Sequence, residues 1–517
     1  FLKTLTVTAK DKVCFLEKRK CDPISCPYAK DYFDKVNDVV FDSISQNNIF
    51  SRDIITDIAR KHSLCPYELT LDISEWCDVI ICDYNYLFDP QAKLQRFFEN
   101  RKGEYTFLID EAHNLPDRAR EMYSAQIDKK SFFEIKKATD KKEKKLIKAL
   151  NSVNSIFIEY RHKFDDIEEN KIVISDLPSD LEKPLRNFIK EASDYFDKHK
   201  KDEPNENLQA LYFDTKFFIK ILEDYNEKYV TIVSKYSDNV YIKLYCTDPS
   251  ENIDKRLQTG NSAIAFSATL TPLDYYRRQI GGTGQLISVP SPFVQDNLGL
   301  FVADRISTKY NDRSKSTDEI CDMLFAMFSS KKGNYMAYFP SYSYMSDVYN
   351  HFIEKYPNVS TVIQQQNMTE QQKADFISQF EEIAENGLLG FCVMGGIYGE
   401  GIDLTGDKLI GCAIVGVGIP QINTQLNTLM EYYNNAGENG FAYAYQYPGM
   451  NKVMQAAGRV IRTETDRGVV LLIDSRFTTD RYLRNMPPHW SHLKTVRNSD
   501  DLKEKLNILW NKKTPTD

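Results

Sequence analysis

Short apolar runs bounded by turn residues recur along the chain at 78–82, 105–109, 263–267, 335–339, 389–394, 409–415 and 469–474. Continuous rather than alternating apolar text of this length is what a strand covered on both faces requires, so the runs predict buried parallel strands. Residues 4–10 also read as a strand. Helical patterns lie between the runs. Strands alternating with helices predict an α/β protein of open parallel sheets, whose ligands bind at the carboxyl ends of the strands.

From 121 to 240 the pattern changes to long, charged, helix-favouring stretches, which predict a helical insertion. Within it, nine lysines between Lys129 and Lys148 face only Glu134, Asp140 and Glu143. That run fits a solvated helix face or contact with a nucleic-acid backbone. Pro290 and Pro292 break any helix near 289–293 and introduce a second α/β block.

Composition narrows the class. With 517 residues, and roughly 100–200 residues in an ordinary domain, three or four units are expected. Hydrophobic residues at 42% and charged residues at 27% describe a globular chain, and no apolar run reaches the roughly 18 residues of a membrane helix. A net charge of −8 gives no support to an overall basic nucleic-acid binder but leaves room for a local basic channel. Ten cysteines without a secretory signal argue against a disulfide framework, and the four among the first 65 residues suggest a metal site. The sequence opens on Phe1 without a signal peptide and reads as a fragment.

Two places carry chemistry. The run 105–109 ends in Asp110 and Glu111, adjacent carboxylates at the carboxyl end of a parallel strand. ATP hydrolysis needs one carboxylate to hold Mg²⁺ through its water shell, the role of Asp110, and a second group to orient the attacking water, the role of Glu111. A polar strand end with a helix cap is the plain alternative. Residues 451–462 read as a helix that places Gln455, Arg459 and Arg462 at i, i+4 and i+7 on one face. Two guanidiniums pointing one way suit the charge on a transferring γ-phosphoryl group, and surface ion pairs are the competing account.

In chain order, Asp110-Glu111-Ala112-His113, Ser267-Ala268-Thr269-Leu270 and the stretch from Gln455 to Arg462 resemble motifs II, III and VI of the two-domain helicases. GGIYGEGID from Gly395 to Asp403 looks like motif V, and Tyr338 to Tyr342 looks like motif IV. Cys14, Cys21, Cys26 and Cys65, spaced C-x6-C-x4-C-x38-C before the DEAH box, are similar to the XPD and DinG group of iron–sulfur DNA helicases.

The resemblance implies two RecA-like domains, with an iron–sulfur domain and a helical Arch-like insertion in the first. It sets the boundaries at 1–13, 78–120 and 241–290 for the first RecA-like domain, 14–77 for the iron–sulfur domain, 121–240 for the insertion and 291–517 for the second RecA-like domain. It also implies a monomeric, cytoplasmic enzyme, in the bacterial nucleoid-associated cytosol, that uses ATP, Mg²⁺ and a 4Fe–4S cluster and moves 5′ to 3′ on single-stranded and forked DNA in repair or replication. The four cysteines would be the cluster ligands, although their spacing alone allows zinc. His113 joins the catalytic set, and Thr269, Gly401, Asp403 and Gln455 the nucleotide site, with Thr269 linking hydrolysis to unwinding.

Asn85 and Tyr86, after a buried strand, fit contact with DNA or a turn with core aromatics. Ser341 and Tyr342 fit a phosphate at a helix N-terminus or simple capping. Asp474 and Arg476 read as structural.

No G-x-x-x-x-G-K-[ST] phosphate loop occurs in the 517 residues, so they are expected to hydrolyse little ATP alone. A degenerate scaffold that binds DNA without hydrolysis is the main rival. An RNA helicase of the DEAH type is disfavoured because that group lacks the cysteine quartet and the insertion.

Overall fold

The computed structural model describes residues 2–512 except 20, 22, 99–103, 200–204, 283, 384–385, 397 and 400–403. It divides into two compact units, Phe1–Gly103 and Glu104–Asp517.

In the first unit, β1 (Thr4–Thr6), β2 (Ile49–Phe50) and β3 (Val79–Ile81) form a parallel sheet with β1 in the middle. The strand expected over 4–10 stops at Thr6, because β2 offers partners only to Thr4 and Leu5 and β3 only as far as Thr6. Leu5 and Phe50 are fully buried beneath the helices Tyr32–Gln46, Arg52–His62 and Pro66–Ser74. The Ser51 hydroxyl caps the second of these helices by accepting from Ile54 N–H, and Pro66 opens the third.

In the second unit, β4 (Thr106–Ile109) leads into the carboxylate motif. The insertion follows, and it is not purely helical. Four strands, β5 (Ala125–Asp128), β6 (Lys171–Ile174), β7 (Tyr229–Tyr236) and β8 (Asn239–Cys246), make an antiparallel sheet in the order β5-β8-β7-β6. β8 runs beyond the expected boundary at 240 because its ladder with β7 continues to Cys246 opposite Tyr229. Half-buried antiparallel strands mix apolar and polar residues, and so escape a search for continuous apolar runs. The helical part behaves as the charge pattern predicts: in the helix Lys144–His162, Leu146, Ala149, Leu150, Val153 and Phe157 bury one stripe. β9 (Ser262–Ala265) then returns beside β4 in parallel, with Ile109 opposite Ala265.

The last block is a seven-stranded, all-parallel sheet of β10 (Leu298–Ala303), β11 (Asn334–Phe339), β12 (Thr361–Ile363), β13 (Leu388–Val393), β14 (Gly411–Val415), β15 (Gly468–Ile473) and β16 (Lys494–Val496). Its order is β12-β13-β11-β14-β15-β10-β16. Every residue of β11 is buried, since helices cover both faces, as a parallel sheet requires.

Asp474, fully buried just past β15, ties this sheet's carboxyl edge together. Its carboxylate accepts from Thr308 N–H (3.2 Å), from the Thr308 hydroxyl and from Arg476 Nε (2.8 Å) and Nη2 (2.8 Å). Burial alone would push this carboxyl up, but the hydrogen bonds and charge of Arg476, with the Thr308 hydroxyl, outweigh it and hold it below its usual range. A depressed carboxyl contributes stability above its unfolded value of about 4, and that stability is lost as pH falls through the folded value. Asp474→Asn is therefore expected to destabilise the fold by about 3 kcal/mol in urea unfolding at pH 7, and by less as the pH is lowered below about 4.

Candidate active site

β4 delivers Asp110 and Glu111 to its carboxyl end, where the backbone turns sharply. Glu111 has φ 46°, in the left-handed region that residues with a side chain seldom adopt. The turn is held because Phe266 N–H donates to Ile109 O (3.0 Å) and Ala112 N–H to Phe266 O (3.1 Å). These bonds extend the β4–β9 pairing by one step on each side. Asp110 Oδ1 accepts from Glu111 N–H at 2.7 Å. Both acidic residues remain exposed, while the His113 side chain is only 4% exposed.

His113 is the centre of a polar network that joins three segments. Its Nδ1 lies 2.8 Å from Ser267 Oγ and 3.3 Å from Thr269 Oγ1, and its Nε2 lies 2.6 Å from Gln455 Nε2. Ser267 Oγ donates to Glu111 Oε2 (3.1 Å) and accepts from Thr269 N–H (3.2 Å). The single serine proton is thus committed to the carboxylate, so the bond with His113 needs the imidazole to donate from Nδ1. That assigns the neutral Nδ1–H tautomer and leaves Nε2 as an acceptor for the Gln455 amide. Asn451 Nδ2, one helical turn before Gln455, donates to Thr269 O (3.0 Å), Thr269 Oγ1 (3.0 Å) and the Tyr276 hydroxyl (2.9 Å). Asn451 and Tyr276 were not picked out from the sequence. The available signal was an amide four residues before Gln455, on the same helix face.

The arginines depart from expectation. The helix spans Tyr447–Ala457 and ends at Gly458, so Arg459 and Arg462 do not continue the face of Gln455. The following segment folds onto Asp466 instead, whose carboxylate accepts the N–H groups of Arg462 (2.7 Å) and Thr463 (2.8 Å) and the Thr463 hydroxyl (2.6 Å). Arg459 Nε donates to Gly399 O at 3.2 Å, inside the stretch resembling motif V. Gly401 and Asp403 lie outside the described residues.

Other expected site residues settle on their structural alternatives. Ser341 caps the helix Tyr342–Lys355 by accepting from Tyr344 N–H, and the Tyr342 hydroxyl accepts from Gln364 Nε2 at 3.0 Å. Tyr86 is packed into the core of the first unit, so its ring is not presented for stacking on a base. Asn85 opens a four-residue helix, its N–H bonded to Asp83 Oδ1.

Cys14, Cys21, Cys26 and Cys65 are all free thiols in the first unit, with Cys26 buried and Cys21 exposed. Among the described residues no three His, Cys, Asp or Glu side chains converge as a metal-binding group, so the quartet is not assembled as the resemblance implies. Burial pushes the Cys65 thiol up.

If the imidazole is the shared hub, His113→Ala and Gln455→Ala lose the same bond. Their effects on unfolding free energy should be non-additive by about 1–3 kcal/mol in a double-mutant cycle, whereas Gln455→Ala paired with the distant Phe157→Leu should add.

Comparison with known proteins places this geometry. The model of the family described as Helicase C-terminal domain matches residues 324–493, and the DEAD_2 model matches residues 1–132. The general transcription and DNA repair factor IIH helicase subunit XPD of Dictyostelium discoideum is 22% identical over 86% of this chain and 67% of its own length. The ATP-dependent DNA helicase XPD of Sulfolobus acidocaldarius is 24% identical over 82% of this chain and 74% of its own. The ATP-dependent DNA helicase CHL1 of Debaryomyces hansenii is 23% identical over 85% and 61%, so the chain spans about two thirds of such relatives. A solved structure titled XPD_Helicase superposes with a TM-score of 0.59 over 96% of this chain and 87% of the other, at 18% identity, and bears out the α/β fold with RecA-like domains. With its carboxylate strand end, serine–threonine turn and glutamine helix in one network, the chain belongs to the XPD/Rad3-like helicase family.

Proposed function

We propose that the chain is the larger part of an ATP-dependent DNA helicase of the iron–sulfur type, moving 5′ to 3′ on single strands and opening forked DNA in repair or replication. It would act as a monomer in the cytoplasm; among the described residues no helix is long and apolar enough to cross a membrane. The observation that carries the reading is the bond between His113 and Gln455, because it links the carboxylate turn after β4 to a helix packed on the seven-stranded sheet. A change at the γ-phosphate is then felt, through Glu111, Ser267 and His113, by a separate sheet. That linkage is what a motor needs.

In the proposed chemistry Glu111 orients and deprotonates the attacking water, and the Asp110 carboxylate holds the metal. Bound Mg²⁺ would neutralise charge developing on the phosphate oxygens, and one or two carboxylates with substrate phosphates suffice to hold it. The exposed carboxylates of Asp110 and Glu111 fit that donor chemistry. Arg459 and Arg462, although off the helix, remain our candidates for stabilising the transferred phosphoryl group. Thr269, held by Asn451, is the proposed coupling residue, and Gln455, Gly401 and Asp403 the proposed nucleotide neighbours. Asn85, Ser341 and Tyr342 are retained only as backbone-level DNA contacts.

The phosphate loop is absent from these 517 residues, and on this reading it comes from a segment they do not contain. Its absence is also the one observation favouring a DNA-binding scaffold instead. The 517 residues alone should show little DNA-stimulated ATP hydrolysis. A protein that includes a G-x-x-x-x-G-K-[ST] segment should show it, with DNA a better activator than RNA, and Glu111→Gln there should lower turnover by about 10²–10⁴-fold. Rapid turnover by the 517 residues, or none by the longer protein, sinks the proposal.

For the cysteines we propose a 4Fe–4S cluster. The support is the resemblance of their spacing to the XPD and DinG group and their placement in a single unit. Anaerobically purified protein should carry iron with an equal amount of acid-labile sulfide and should lose both in Cys65→Ser. Stoichiometric zinc without sulfide is the outcome against it.

A further inference from the structure

The lysine run in the insertion folds into one exposed apex. It comprises the end of the helix Lys129–Ala138, a turn over 139–143, and the start of the helix Lys144–His162. Lys137, Lys141, Lys142, Lys144, Lys145 and Lys148 are all exposed there. The three acids of the segment do not neutralise them. Glu134 pairs with Lys130 at 3.6 Å, Asp140 accepts the Lys142 backbone N–H at 2.9 Å, and Glu143 is drawn to Lys198 and His199 at the end of the adjacent helix. None of the six lysines takes part in an ion pair among the described residues.

Folding does not ask for this arrangement. The first turn of Lys144–His162 carries Lys144 and Lys145 behind the N-cap Glu143, whose carboxylate is drawn to Lys198 and His199, while Lys137 lies in the last turn of Lys129–Ala138. Cations at a helix N-terminus oppose the macrodipole, whose positive end lies there. Of the six lysines, Lys144 and Lys145 thus sit where their own helix disfavours a cation, in a chain of net charge −8.

We propose that this apex is a sequence-independent contact for a nucleic-acid phosphate backbone, separate from the hydrolytic site. The proposal rests on the reading of the chain as a DNA-handling enzyme and adds where a strand is held. Lysines act as point charges that neutralise phosphates without reading bases. An acidic protein partner is the weaker choice, because such interfaces are built around apolar or aromatic anchors and residues 136–145 offer only Ala138.

The test uses the full 517-residue chain with Lys137, Lys141, Lys142, Lys144 and Lys145 changed together to Gln, and the same five changed to Arg as a control. Affinity for a labelled single-stranded oligonucleotide is followed by anisotropy across a salt series. At about 0.7 per phosphate contact for single strands, the slope of log affinity against log salt should fall by roughly 2–3.5 in the Gln variant and stay near wild type in the Arg variant. Thermal stability of the Gln variant should stay near wild type, since Lys144 and Lys145 leave a helix N-terminus while Lys137 leaves a helix C-terminus. An unchanged slope in a folded Gln variant overturns the proposal while leaving the helicase reading intact. Loss of poly-glutamate binding with the DNA slope unchanged overturns it in favour of an acidic protein partner. Wild-type protein that binds no nucleic acid at all defeats both readings.

Discussion

An imidazole has two nitrogens, and in this protein each is committed to a different element. The Nδ1 proton of His113 goes to Ser267, just past β9, and the Nε2 lone pair takes the amide of Gln455 on the helix Tyr447–Ala457. The Gln455 bond is buried and the Ser267 bond part-buried, and a buried polar group left without its partner costs the full penalty of its desolvation, about 1–3 kcal/mol. The carboxylate turn, the serine–threonine turn and the glutamine helix therefore hold one another in place. Moving any one of them strands a polar atom on the other two.

The rest of the site follows from how parallel strands end. A parallel strand places its polar residues beyond its last apolar one, whether the strand is buried throughout, as β15 is, or largely exposed, as β4 is. Asp110 and Glu111 after β4 and Asp474 after β15 occupy equivalent positions in their own sheets. Their fates differ with their surroundings. Asp474 has Thr308 and Arg476 to satisfy it and becomes a buried tie across the sheet edge, while Asp110 and Glu111 stay exposed. The same carboxylate chemistry serves architecture in one place and is available for phosphate chemistry in the other. The left-handed backbone at Glu111 marks the second of these as the site under constraint.

The insertion obeys different rules. Its antiparallel sheet and amphipathic helices keep one face dry and give the other to charge, so a lysine-rich apex is tolerated although none of its six exposed lysines is ion-paired among the described residues. Exposed charge of one sign left unpaired is explained by a partner of opposite charge rather than by folding.

By itself the sequence determined the α/β character, the positions of most central strands, the order of the chemical motifs, and the placement of Asp110 and Glu111 at a strand end. All of these follow from local apolar runs and residue order, which need no knowledge of neighbours. It did not determine the strands of the insertion, because half-buried antiparallel strands lack a continuous apolar signature, and their pairing joins segments as distant as Ala125 and Leu244. Nor did it reveal that the helix stops at Ala457: helical periodicity runs on through Arg462, and only Gly458 together with capture of the next segment by Asp466 turns the chain away. The role of Asn451 and the core placement of Tyr86 escaped the sequence for one reason: whether a polar or aromatic side chain meets solvent, a ligand or a core is decided by what packs against it. That depends on residues far away in the chain, and so only the tertiary structure settles it.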